Sequence, residues 1–161
     1  NHIPSAELYH VFENFSDIES VIWENIPCPF VIKPASGSAG KGVLVITKKL
    51  PDQPKWFDNE KREVSVDDLN FHIQNILDGE YSTWGNKHIA LVEEMIVSHP
   101  VLRKLAHSGT PDLRIIVFNS VPIMAMARIP THESDGKANL DRGAIGLGID
   151  MASGITTSAV Q

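Results

Sequence analysis

Apolar residues recur along this chain in two rhythms, the alternation of a strand and the spacing of a helix face, with turn residues between them. Leu8-Tyr9-His10-Val11-Phe12 reads as a short strand. Ser16-Asp17-Ile18-Glu19 carries a capping-box signature, in which the Ser oxygen and the Glu carboxylate satisfy orphan N–H groups, and Ile18, Val21 and Ile22 follow on one helical face. Pro27 and Pro29 end that helix. β-Branched runs at Phe30 to Lys33 and Val43 to Thr47 predict two strands around a glycine-rich connection. Lys48 to Arg62 is rich in proline and charge and is expected to be an exposed connection, anchored by Trp56 and Phe57.

The spacing then predicts a second helix from Ser65, with Asp68 completing another cap. Val66, Leu69, Ile73, Ile76 and Leu77 form its apolar stripe, and Gly79 is placed to stop it. Tyr81 to Lys87 is a turn-rich link. Ile89 to Val97 reads as a strand interrupted by Glu93 and Glu94. Asp112 to Phe118 and Val121 to Ile129 form a hairpin across Asn119-Ser120. Thr131 to Gly148 is polar and glycine-rich, and Ile155 to Val160 resumes as strand. Helices interspersed with mainly antiparallel strands make the class α+β.

Composition changes this picture little. With 161 residues the chain suits one domain or part of a larger one. A net charge of -6 argues against nucleic acid as the partner, since a phosphate backbone is met by clustered Lys and Arg. No apolar run approaches a membrane span and no signal peptide opens the chain, so a cytoplasmic location is expected. A single cysteine, Cys28, excludes an internal disulfide and reads as a small buried filler. The oligomeric state is not legible in the sequence.

The chemistry concentrates between the first two β-branched runs. Phe30-Val31-Ile32-Lys33-Pro34 leads into Ala35-Ser36-Gly37-Ser38-Ala39-Gly40-Lys41-Gly42, and Val43-Leu44-Val45-Ile46 follows. Glycines let backbone N–H groups approach phosphate oxygens, and lysines add point charge. A P-loop is excluded because Lys41 is followed by Gly42 and a strand, where that motif needs Ser or Thr and a helix. The dinucleotide fingerprint fails on glycine order and on the same missing helix. A glycine-rich flap between antiparallel strands remains, with a plain hairpin loop as the alternative.

Three further constellations stand apart from the flap. Glu93 and Glu94 are neighbours on a strand, so at most one of them faces a given cleft, where a carboxylate can accept from ribose or an adenine amino group. Asp112 and Arg114 share a strand face, and Arg114 and Arg128 are expected to lie across from each other in the hairpin, a pair suited to carboxylate or phosphate. Asp135 to Gly146 gathers Lys137, Asn139, Asp141 and Arg142 among glycines, a composition that fits a binding loop or an ordinary surface loop. The histidines form no metal set: His99 and His107 lack helical zinc spacing, and only His132 lies near a polar loop. A kinase-like phosphotransferase is excluded by the lack of His-Arg-Asp and Asp-Phe-Gly motifs.

Taken in order, Phe30 to Pro34, the Gly37 to Gly42 flap, Leu91 to Ile96, Pro111 to Arg114, Met124 to Pro130, and Asp135 to Asn139 with Arg142-Gly143 resemble the ATP-grasp superfamily. Within it the chain looks like the alpha-L-glutamate ligase-like and sugar-transfer-associated members. The resemblance implies an ATP-grasp fold of antiparallel sheets with flanking helices, incomplete here. About 30–88 would be the flap subdomain and about 89–161 a second subdomain truncated at its C-terminal end. It implies an ATP-dependent ligase that joins a small carboxylate to an amine through an acyl phosphate. The alternative is a nucleotide-binding module or scaffold without catalysis.

By position, Lys33 would contact the α/β-phosphates. Ser36, Gly37, Ser38, Gly40, Lys41 and Gly42 would close over the β/γ-phosphates. Glu93 or Glu94, with the backbone at Met95 and Ile96, would read adenine and ribose. Arg114, Arg128 and Arg142, assisted by Asn139, would hold the carboxylate or the phosphoryl group. The family binds magnesium through an Asp and a Glu-x-Asn set. No Glu-x-Asn occurs in the last part of this chain, so those ligands are expected outside it, and Asp150 reads better as a strand or turn residue. The covered fragment alone is therefore expected to be inactive.

Overall fold

A computed structural model describes residues 4–81, 87–106 and 109–161. The strands are β1 (Leu8–Phe12), β2 (Phe30–Pro34), β3 (Leu44–Lys49), β4 (Lys55–Asp58), β5 (Glu63–Ser65), β6 (Ala90–Glu94), β7 (Asp112–Phe118), β8 (Val121–Ile129), β9 (Ile145–Ile149) and β10 (Thr156–Val160). The α-helices are α1 (Ser16–Ser20), α2 (Val66–Leu77) and α3 (Pro100–Arg103). The chain divides into two compact units, Asn1–Ile96 and Val97–Gln161. The division falls after β6 because that strand is hydrogen-bonded between β1 and β2.

The first unit is a six-stranded sheet in the order β1-β6-β2-β3-β4-β5, antiparallel throughout. Strand alternation sends Phe30 and Ile32 to one face, where they meet Ile46, Ala90 and Val92 from the flanking strands. Helix α2 covers that face with Leu69, Ile73 and Ile76, the buried part of its predicted stripe. Trp23 stacks between Phe12 and Phe30, and its indole N–H donates to Asn70 Oδ1 at 2.8 Å. The Ser65 cap forms as the spacing predicts, with Asp68 N donating to Ser65 Oγ and Ser65 N donating to Asp68 Oδ2.

Two expectations fail in this unit. Helix α1 does not use Ser16 as its cap. Asp17 Oδ2 instead accepts from Glu13 N and Asn14 N, and a short 3₁₀ turn at Trp23–Asn25 replaces the helix's continuation. Lys48 to Arg62 is not an exposed connection either. It holds β4, with Trp56 fully buried in the core.

Asp58 ends β4 as a buried carboxylate that organises the turn into β5. It accepts from Glu60 N at 2.8 Å, Arg62 N at 2.9 Å and Arg62 Nε at 2.7 Å. Burial pushes its pKa up, but the combined hydrogen bonds and the Arg62 charge outweigh this and hold it below the usual carboxylate range. Cys28 packs half-buried against the same core, and burial pushes its thiol pKa up.

The second unit is a four-stranded antiparallel sheet in the order β10-β9-β8-β7. The β7–β8 hairpin turns at Asn119 and Ser120, both at positive φ (47° and 64°), the geometry that matches the twist of paired strands. Pro122 falls in β8 beside a register shift opposite Ile116 and Val117. Strand β9 begins within the polar, glycine-rich segment Thr131 to Gly148 and ends one residue past it. Among the described residues no helix is long and apolar enough to cross a membrane.

The Asp58 turn yields a stability prediction. Asp58→Asn is expected to cost about 2 kcal/mol at neutral pH, the loss of hydrogen bonds to a charged acceptor. A depressed folded pKa contributes stability that is present above the unfolded value and lost as pH falls through the folded one. The gap between wild type and variant should therefore narrow below about pH 4. Urea midpoints at pH 7 and pH 3 check this, and an equal gap at both contradicts it.

Candidate functional site

The first unit presents its candidate residues on the sheet face turned away from α2 and at one end of β2. Val31, Lys33, Leu91 and Glu93 share that face, because Val31 pairs with Glu93 and Lys33 with Leu91. Val45, opposite Val31, extends it. Lys33 Nζ lies 2.6 Å from Glu93 Oε2. The half-exposed lysine is thus held against the sheet by the more sheltered carboxylate. Glu94 takes the other side: it pairs with Phe30, and its Oε2 accepts from Glu7 N at 3.3 Å. Of the two adjacent acids, Glu93 is therefore the one beside Lys33. Met95 is half-buried just past β6, and Ile96 is exposed.

The flap runs from Ala35 to Val43 between β2 and β3. Ala35 N donates to Ile89 O at 2.8 Å and fixes its start. Ser36 is half-buried, and residues Gly37, Ser38, Gly40 and Lys41 are exposed. Ala39, Gly40 and Gly42 have positive φ (56°, 68° and 72°). Lys41 N donates to Ser38 O at 3.2 Å. Among the described residues, the N–H groups of Gly37, Ser38, Ala39 and Gly40 donate to no backbone acceptor. A run of unengaged amides followed by a lysine offers donors and charge of the kind an anion can use.

In the second unit, Asp112, Arg114, Met126 and Arg128 share one sheet face. The expected juxtaposition of Arg114 and Arg128 is corrected by the register. Arg128 pairs with Asp112, and Arg114 with Met126, so the two arginines are diagonal neighbours. Arg128 is bidentate on Asp112, with Nε to Oδ1 at 2.7 Å and Nη2 to Oδ2 at 2.5 Å. The Asp112 carboxylate raises the Arg128 pKa, so the guanidinium stays charged, but two of its five N–H donors are already in use. Arg114 is exposed.

The polar loop after β8 is built on Thr131 and Ser134. Ser134 Oγ accepts from Thr131 N, Thr131 Oγ1 accepts from Ser134 N, and Thr131 Oγ1 donates to Gly143 O. Gly109 presses so closely on this loop that a Cβ there would fall 1.8 Å from Gly136 O. Asn139 acts as a cap, its Oδ1 accepting from Asp141 N at 3.1 Å at the start of a 3₁₀ turn over Leu140–Arg142. That leaves its amide N–H groups as donors. Arg142 is exposed at the end of the turn.

Three features escaped sequence reasoning: the Lys33–Glu93 pair, the Arg128–Asp112 fork and the capping duty of Asn139. The first depends on the pairing of strands far apart in the chain. The second was accessible from hairpin register, counting outward from Asn119-Ser120. Among the described residues no three His, Cys, Asp or Glu side chains converge as a metal site. His107 and residues 82–86 of the link after Tyr81 lie outside the described residues.

The whole chain, residues 1–161, matches the model of the family described as sugar-transfer associated ATP-grasp, and the protein belongs to that family. No curated protein and no solved structure matches it. Membership and the antiparallel α+β architecture together make the chain a nucleotide-binding module of the ATP-grasp kind.

The Arg128–Asp112 fork can be measured directly. A double-mutant cycle with Asp112→Ala and Arg128→Ala should give a coupling of about 1 kcal/mol in unfolding free energy, since Asp112 is partly solvated and screened. Coupling near zero would mean that the two side chains do not support each other in solution.

Proposed function

We propose that this member of the sugar-transfer associated ATP-grasp family binds ATP through its first unit and uses it to join a carboxylate to an amine by way of an acyl phosphate. The observation that carries the reading is the flap: a glycine-rich loop with unengaged amides, at the strand end where Lys33 projects. ATP supplies a γ-phosphoryl group that turns an unreactive carboxylate into an acyl donor. The amides of Gly37 to Gly40 meet phosphate oxygens, and Lys41 adds charge at the tip. Lys33 contributes a cation already held in place by Glu93, so little ordering is needed when the triphosphate arrives. Val31, Val45 and Leu91 offer the base an apolar platform, and the backbone at Met95 and Ile96 reads its edge.

Arg114 and Arg142 supply exposed guanidinium groups for a carboxylate or a phosphoryl group. Arg128 presents a fixed fork diagonal to Arg114 in the hairpin, and the amide of Asn139 adds a neutral donor. Such chemistry depends on positioning and charge compensation more than on a protein nucleophile. A closing flap also keeps water from the acyl phosphate. The family's description names sugar transfer, so carboxylate- or amine-bearing sugars belong beside amino acids as candidate substrates. The second reading, a nucleotide-binding module without chemistry, is favoured by one observation: Arg128 is already paired with Asp112.

Lys33→Ala is expected to weaken magnesium-ATP binding by about tenfold or more, the worth of a charge-assisted hydrogen bond. Titration calorimetry checks it, and unchanged affinity removes Lys33 from the site. Arg128→Ala should lower phosphate release on a substrate found by screening acids and amines, while leaving nucleotide affinity within about twofold. Equal loss of both would move Arg128 to nucleotide binding. ATP binding without turnover on any acid and amine would favour the second reading.

A further inference from the structure

The far end of the flap is tied to a helix that nucleotide binding does not itself require. His72 lies on α2, between the buried Leu69 and Ile73, and its Nε2 is 3.0 Å from the carbonyl oxygen of Gly42. A carbonyl only accepts, so the imidazole carries its proton on Nε2 and donates it there. Burial lowers the His72 pKa, against the raising effects of the Gly42 carbonyl and Glu80.

Tyr81 closes the other side of the same glycine. A Cβ on Gly42 would fall 2.6 Å from Tyr81 Cγ and Cδ2, and φ there is +72°. The near end of the flap reaches the same residue, because a Cβ on Gly37 would lie 3.6 Å from Tyr81 O and 3.2 Å from Pro34 Cγ. The His72 and Tyr81 rings lie 5.8 Å apart. The Tyr81 ring closes on the far end of the flap and its backbone carbonyl lies near the start, while Ser38 to Lys41 between them are exposed and joined by one internal bond.

We propose that His72 and Tyr81 form the pivot of the flap. They are positioning residues that fix Gly42 to the core helix, so that residues 38–41 swing between Gly37 and Gly42 while β3 stays in register. The functional consequence, a clasp that closes on phosphate from a fixed axis, rests on the nucleotide reading above. The pivot itself does not.

Trypsin cleavage after Lys41 reports opening of the flap, and cleavage after Lys49 in β3 reports loss of the sheet. His72→Phe keeps a ring against Tyr81 and removes the donor. In the whole chain without nucleotide it should speed cleavage after Lys41 about fivefold, the factor set by one hydrogen bond, with cleavage after Lys49 unchanged. His72→Gln, whose carboxamide can donate to the same carbonyl, should return the rate toward wild type. Tyr81→Leu is the second variant, should His72→Phe fail to fold, and predicts the same site-selective rise.

An unchanged rate after Lys41, or an equal rise after Lys41 and Lys49, overturns the pivot. Adding magnesium-ATP separates the two readings. Protection of Lys41 in wild type with no effect of His72→Phe keeps the nucleotide and sinks the pivot. Loosening by His72→Phe with no protection by nucleotide keeps the pivot and sinks the nucleotide.

Discussion

Phe30 and Ile32 have to leave water, and in a strand that requirement turns Val31 and Lys33 the opposite way. Strand β2 is paired on both edges, with β3 and with β6, so it can neither slip by one residue nor twist out of the sheet without exposing that core. The rest of the first unit follows from this constraint. Lys33 must project from the face away from α2, Glu93 must stand beside it, and the chain must turn back into β3 within reach of Lys33. A cationic strand end followed by a glycine loop is thus a by-product of burying two side chains, and the nucleotide reading uses what packing has already fixed.

The second unit builds cationic chemistry differently. Its hairpin sets the register from a tight turn, and that register places an acid opposite Arg128. The fork with Asp112 holds the guanidinium in one orientation at the expense of some of its capacity to bind anything else. Arg114 and Arg142 carry no such partner among the described residues and are exposed. Paired and held, or unpaired and exposed, are two ways an arginine can be offered to an anion, and this unit contains both.

Much of this organisation was legible in the sequence where local signals decide it. The Ser65 cap, the stripe of α2, the flap with its flanking strands and the β7–β8 hairpin all follow from period, capping chemistry or turn residues. Failures occur where a distant neighbour decides, or where a local carboxylate outcompetes the expected partner. Lys48 to Arg62 has the composition of a loop, yet Trp56 buries its ring and Asp58 finds its donors in Glu60 and Arg62, so a four-residue strand forms among prolines and charges. The capping box at Ser16 is matched by Asp17, which satisfies Glu13 and Asn14 from a shifted position. The choice between Glu93 and Glu94 needed the pairing of β6 with both β1 and β2, which no window of sequence contains.

The central claim is that the loop after β2 clasps a triphosphate while the face beside Lys33 and Glu93 takes the rest of the nucleotide. Amide hydrogen exchange on the whole chain, with and without a non-hydrolysable magnesium-ATP analogue, tests it most directly. The account predicts slowed exchange across residues 36–43 and 91–96, with the amides of Gly37 to Gly40 most affected. Exchange unchanged in those segments at saturating analogue would contradict it.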